Sequence, residues 1–257
     1  MRDLVAALEA RVGHACSVGV GMPGSESRAT GLVKNSNSVC LNGRPLHRDL
    51  ASLLGRELRF ANDADCFVLS EATDGAAAGA GVVFGVIVGT GTGGGIACHG
   101  SLLAGPNGIA GEWGHNPLPW PTPEELPGPS CYCGRHGCIE TWLSGPGLAR
   151  DHNAATGETL DAAVVARRAR AGDAAASATL HRYADRMARA LASVINIIDP
   201  DVIVLGGGIS NIEWLYDAVP RCWSEYVFSD RVDTRLVRAR HGDSSGVRGA
   251  ACLWTAA

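Results

Sequence analysis

The sequence predicts an α/β protein built from two related lobes, and three observations carry that prediction. "CSVGVGMPG" at 16–24 and "DPDVIVLGGGIS" at 199–210 are each an apolar run that follows a helical stretch and ends in glycines. Between them, "VVFGVIVGTGTGGGIACHG" at 82–100 reads as strand, glycine turn and strand. Helix, strand and glycine-turn units this far apart point to two halves of one architecture rather than to a short-period repeat. With 257 residues, 46% of them hydrophobic, the chain can bury a sizeable core. Its 22 basic residues stand against 26 acidic ones, which leaves no electrostatic footprint for nucleic acid or an anionic membrane. No apolar run approaches the roughly 20 residues of a membrane span. The opening "MRDLVAALEARVG" has the pattern of an amphipathic helix and not of a signal peptide, so a cytoplasmic protein is expected.

In chain order, a helix over 3–12 leads to the first strand, which runs into a loop at Pro23 and Gly24. "RFANDADC" at 59–66 ends a second strand at Asn62 and Asp63, ahead of a helix over 64–74. A carboxylate at that strand end is placed to act as a general base; the competing reading is an Asx turn or helix cap. "GTGTGGG" at 89–95 lacks the Gly-Lys-Ser/Thr ending of a P-loop. Its backbone N–H groups suit a phosphate cradle, with an unliganded tight turn as the alternative. The stretch 117–130 carries six prolines and is expected as a loop. The stretch 155–199 reads as two or three helices, with Asp161 and Asp173 near their starts and Arg-rich faces expected to be solvated. "LGGGIS" at 205–210 is a glycine turn at a strand end, where α/β sheets admit ligands.

The nine cysteines divide in two. Cys16, Cys40, Cys66, Cys98, Cys222 and Cys252 are scattered and are expected as reduced, buried small hydrophobes. Cys131, Cys133 and Cys138 follow C-x-C-x4-C, with Gly134 and Gly137 allowing the turns that bring three sulfurs together. Thiolates that close repel unless a cation neutralises them, and zinc is the expected answer, with either His115 or His136 as fourth ligand. Glu112, His115 and Glu140 flank this loop and could bind several hydroxyls of a polyol, so the metal would serve as scaffold for a substrate site.

"GEWGHNPLPW", "CYCGRHGCIETW", "DPDVIVLGGGIS" and "RHGDSSGVRGAACLW" together resemble the ROK family of sugar kinases and related repressors, over the chain from near residue 17 to its end. The wording of the first and last resembles the bacterial fructokinase and mannofructokinase branch. The resemblance implies an actin-like, ribonuclease-H-type fold, with an N-terminal lobe over 1–80 completed by a C-terminal helix at about 245–257. The second lobe would span 81–244 and carry a zinc loop at 115–138. It implies ATP-dependent phosphorylation of a hexose, fructose first and mannose next, at the primary hydroxyl, with Asp63 as base. Sugar binding would fall to Asn62, Asp63, Glu112, His115 and Glu140, and ATP binding to Gly89, Thr90, Gly91, Gly206, Gly207 and Gly208. Structural Zn²⁺ would sit on His115, Cys131, Cys133 and Cys138, which by resemblance settles the choice of histidine. Mg²⁺ would accompany ATP, and a homodimer is implied, with no nucleic-acid or membrane partner. The alternative within the family is a catalytically silent sugar-binding sensor; a zinc-stabilised module without a ligand is the third reading. Family kinases open with a strand and an Asp-x-Gly-Gly-Thr hairpin that forms the first phosphate loop, and these 257 residues contain no such motif. The N-terminal lobe is therefore expected to be truncated, by a misplaced start or as a fragment, with the activity of the chain as given in question.

Overall fold

The structure is a computed structural model and describes residues 1–254; positions 255–257, the end of the expected C-terminal helix, lie outside the described residues. The chain opens with α1 (Arg2–Val12), then β1 (Val18–Met22) and the short strands β2 (Ser25–Glu26) and β3 (Val33–Lys34), which pair antiparallel. After α2 (Leu46–Leu54), β4 (Leu58–Asn62) pairs parallel with β1, in the register Val18 to Leu58 and Met22 to Asn62, and feeds α3 (Asp63–Thr73).

The larger sheet has the order β7-β6-β5-β8-β9. The expected hairpin is its centre: β5 (Val82–Val88) and β6 (Thr92–Cys98) are antiparallel and joined by a three-residue tip, and β7 (Ser101–Leu102) extends the edge. β8 (Val202–Gly206) and β9 (Arg235–Arg238) add parallel to β5. Because successive strand residues face opposite sides, the uninterrupted apolar runs of β5 and β8 demand cover on both faces. Phe84, Val86, Ile203 and Leu205 pack on one face against Tyr183, Met187 and Leu191. Val83, Val202 and Val204 pack on the other against Phe67 and Val68 of α3.

The first face is covered by α4 (Ile139–Leu143), α5 (Gly145–Thr156), α6 (Ala162–Arg170), the long α7 (Ala174–Ile198) and α8 (Leu215–Trp223). Asp161 and Asp173 cap α6 and α7, each accepting a backbone N–H three residues on, at 2.7 and 2.9 Å. The Pro-rich stretch holds a short 3-10 turn at Pro123–Glu125 and single bridges from Pro117 to Cys138 and from Ser130 to His136.

α9 (Ser245–Cys252) returns the chain to α3 and β1. Its approach is so close that a Cβ on Gly249 would sit 1.6 Å from the Cys66 carbonyl oxygen. Glu71, fully buried on α3, fixes this return: its carboxylate accepts from the backbone N–H groups of Ala76, Arg240 and His241 and from the Ser245 hydroxyl. Those donors outweigh the cost of burial and hold its pKa below the usual glutamate range.

Two expectations are corrected. Of the six scattered cysteines only Cys66 is buried; Cys98, Cys222 and Cys252 are half-buried, and Cys16 and Cys40 are exposed. Those two occupy the link after α1 and a surface 3-10 turn. The Arg-rich helix faces are not simply solvated. Arg186 and Arg189 of α7 are buried and paired with Glu125, at 2.7 and 2.8 Å. Arg189 also donates to the Trp120 carbonyl, so the proline segment is pinned to α7.

Candidate functional site

The junction of β4 and α3 builds one side of a cleft. The Asn62 side chain caps the helix, accepting from the Ala64 N–H at 2.8 Å, while its amide donates to the Gly24 carbonyl at 3.0 Å. The cap role thus belongs to Asn62, and Asp63, the first helical residue, is exposed. Protein around Asp63 raises its pKa in spite of the Ala64 N–H it accepts. Asp65, one residue further into the helix and half-buried, is pushed up to about 7 by burial and by the charges of Glu112 and Asp63. Glu112 is raised by burial, with His115 opposing and Asp63 and Glu140 adding to the rise. These mutual effects place Asp63, Asp65, Glu112 and Glu140 in one acidic group drawn from three segments.

Glu140 lies in the first turn of α4, directly after Cys138, and its Oε2 accepts the Thr92 N–H at 2.9 Å. Thr92 begins β6, so this carboxylate holds the glycine hairpin. The tip is braced again: Gly89 N–H donates to the Gly91 carbonyl, and Gly145 N–H to the Gly89 carbonyl at 2.7 Å.

His115 and Cys131, Cys133 and Cys138 offer four ligand atoms that all lie within 4.8 Å of one another. Cys133 Sγ is 3.6 Å from Cys138 Sγ, and Cys131 Sγ is 3.6 Å from His115 Nδ1. Metal–sulfur bonds of about 2.3 Å set tetrahedral ligand atoms about 3.8 Å apart, so the spacing and the donor set of three sulfurs and one nitrogen fit a tetrahedral ion such as Zn²⁺. Gly134 and Gly137 both take positive φ in the loop. His136 is not in the group; its Nε2 faces the Ser130 hydroxyl at 3.1 Å. With Nδ1 turned to the cluster, His115 Nε2 meets the Tyr132 hydroxyl at 2.9 Å.

Three residues here were not singled out from sequence. Tyr132 stands inside the C-x-C pair. Asp65 was hidden as a helix residue. Lys34, on β3, donates from Nζ to the Asn107 carbonyl at 2.8 Å, and its charge opposes the rise at Glu112. A count gives the missed signal: Lys34 is the chain's one lysine beside 21 arginines.

A cavity of about 1120 Å³ opens beside the hairpin tip. Gly89, Thr90 and Gly208 line it; Gly91, Gly206 and Gly207 are not among its lining residues. Its other walls come from α5, α6, α7 and the segment before α8, and are largely alanine, leucine and isoleucine, with His181 and Trp214. Arg167 and Arg170 also reach it, a second correction to the solvated-face expectation.

An acidic group beside the β4–α3 junction, a loop whose His115, Cys131, Cys133 and Cys138 could hold a metal ion, and a glycine hairpin lining a large cavity thus lie next to one another. The chain belongs to the ROK family, whose profile matches residues 1–257, and it is a sugar-kinase type member of that family. It is similar to an N-acetyl-D-glucosamine kinase of Pectobacterium atrosepticum, 40% identical over 255 residues, covering 98% of this chain and 84% of the relative. A ROK hexokinase structure from Thermus thermophilus superposes with TM-score 0.84 at 32% identity, covering 97% of this chain and 82% of that one. A ROK glucokinase from Streptomyces griseus, in complex with glucose and AMPPNP, superposes with TM-score 0.79 at 27% identity, covering 98% and 86%. The fold is the α/β, actin-like fold of ROK sugar kinases.

Proposed function

We propose that this chain transfers the γ-phosphoryl group of ATP to the primary hydroxyl of a hexose, with Asp63 as general base. One observation carries the reading most: Glu140 belongs to the acidic group that includes Asp63 and also hydrogen-bonds the hairpin that lines the large cavity. Sugar and nucleotide would therefore meet at adjoining surfaces. The Asp63 carboxylate accepts the hydroxyl proton as the hydroxyl oxygen bonds to phosphorus and the bond from phosphorus to the β-phosphate bridging oxygen breaks, leaving ADP. Asn62, Glu112, His115 and Glu140 would hold the other hydroxyls. The braced backbone at Gly89, Thr90 and Gly91, with Gly206, Gly207 and Gly208 opposite, would cradle phosphates, and ATP would enter with Mg²⁺. Zn²⁺ would be held by His115, Cys131, Cys133 and Cys138 and would fix the loop between Glu112 and Glu140, while His115 would offer Nε2 to the sugar in place of the Tyr132 hydroxyl it faces here. A homodimer is the proposed assembly.

Two sugars compete for the site. Relatives at about 40% identity named as N-acetyl-D-glucosamine kinases support that sugar. The "GEWGHNPLPW" and "HGDSSGVRGAA" wording supports fructose, with mannose next. A coupled ADP-release assay with fructose, mannose, glucose and N-acetyl-D-glucosamine tests the reading. Sugar-dependent release with one of them supports it and names the substrate. Saturable sugar binding without release would replace it with the silent-sensor reading, and neither would overturn it.

A further inference from the structure

The large cavity contains one polar ring whose hydrogen-bonding character the fold has already fixed. His181 lies on α7, and its Nδ1 is 2.8 Å from the Ser177 carbonyl oxygen one turn back. A carbonyl oxygen can only accept, so Nδ1 carries the proton, and in the neutral imidazole the other nitrogen, Nε2, is left as an acceptor. The same ring meets the Trp214 indole edge to face, with centroids 4.8 Å apart, and both residues line the cavity. Trp214 is 39% exposed, so part of its ring is open to the cavity it lines, and it stands just before α8. Around the pair the walls are Ala163, Ala166, Leu180 and Ile212, apolar surface suited to a flat heteroaromatic ring.

We propose that His181 reads the nucleobase and selects adenine over guanine, with Trp214 as the surface on which the base packs. The inference rests on the reading of this cavity as the nucleotide site. The chemistry is a difference at one edge of the purine. Adenine presents an exocyclic amine, which donates to an acceptor; guanine presents a carbonyl oxygen at the same position, which would face the Nε2 lone pair without a proton between them. Arg167 and Arg170 on the neighbouring wall supply only donors and cannot make this distinction.

The test is calorimetric binding of the imido analogues of ATP and GTP to the whole chain, to two variants at His181, a position on the exposed side of its helix, and to one at Trp214. The wild type is expected to bind the adenine analogue at least tenfold tighter. His181→Arg, which offers donors only, should shrink that ratio at least tenfold, and His181→Glu, whose carboxylate only accepts, should preserve it. Trp214→Ala should weaken both analogues together by about tenfold, the range for lost base–aromatic stacking. An unchanged ratio in His181→Arg, or equal affinities in the wild type, overturns the inference while leaving the kinase reading in place. Binding of neither analogue by a folded wild type overturns the nucleotide site itself, and the inference with it.

Discussion

Two sets of carboxylates in this molecule are treated in opposite ways. Glu71 and Glu125 are buried and surrounded by donors: four hydrogen bonds at Glu71, and the guanidinium groups of Arg186 and Arg189 at Glu125. Burial would raise Glu125, but the two arginines hold it down at about 2. Asp63, Asp65 and Glu112 gather instead beside the β4–α3 junction, where loss of solvent raises all three and repulsion from neighbouring carboxylates adds to the rise at Asp65 and Glu112. The first set neutralises its charge and ties the scaffold together. The second stores unfavourable charge where a proton acceptor and hydroxyl ligands are wanted, the pattern expected of a working site.

The contrast can be broken at several points. Glu71→Gln should have the largest effect, a loss of about 4 kcal/mol, because it turns an acceptor of four donors into a group that opposes some of them. Denaturant unfolding at neutral pH measures it. Glu125→Gln should cost about 3 kcal/mol, from a pKa held some two and a half units below its ordinary value. The sign follows from proton binding: the unfolded chain takes up this proton first, so the stability is present above pH 4.5 and lost as pH falls toward about 2. Wild type and variant should therefore converge in acid.

Asp65→Asn should do the reverse and stabilise. Its folded pKa lies above the unfolded value of 3.8, so the folded chain binds the extra proton and stability falls as pH rises toward about 7. The variant should gain about 2 kcal/mol at pH 8, with cleft water screening part of the repulsion, and nothing below pH 3.8. A destabilised variant would remove Asp65 from the repulsive set. Smallest is the metal loop: Cys133→Ser, or chelation, should release about one metal ion per chain and weaken sugar affinity some tenfold. Unchanged affinity in a metal-free protein, read by titration calorimetry, would separate the loop from the site.

Much of this arrangement was legible because it is local. The hairpin over 82–100 and the strand before Gly206 announced themselves as apolar runs buried on both faces, and the three cysteines lie within eight residues. What escaped was held by distant partners. Arg186 meets Glu125 across 61 positions, and Lys34 meets Asn107 across 73, so a pattern of arginines at helical spacing could not show which were buried. Asp65 read as an ordinary helix residue because the Glu112 that perturbs it comes from another segment. The cavity escaped for the same reason: the apolar stripes of α6 and α7 are plain in sequence, but not the glycine turns that face them.

The central claim is that Asp63 takes the hydroxyl proton, and replacing its carboxylate by an amide tests it most directly. Asp63→Asn should lower the phosphoryl-transfer rate by a factor of about 10² to 10⁴, the range for loss of a general base, with sugar affinity changed only a few-fold. A variant that binds sugar and transfers phosphate at the wild-type rate would contradict the account.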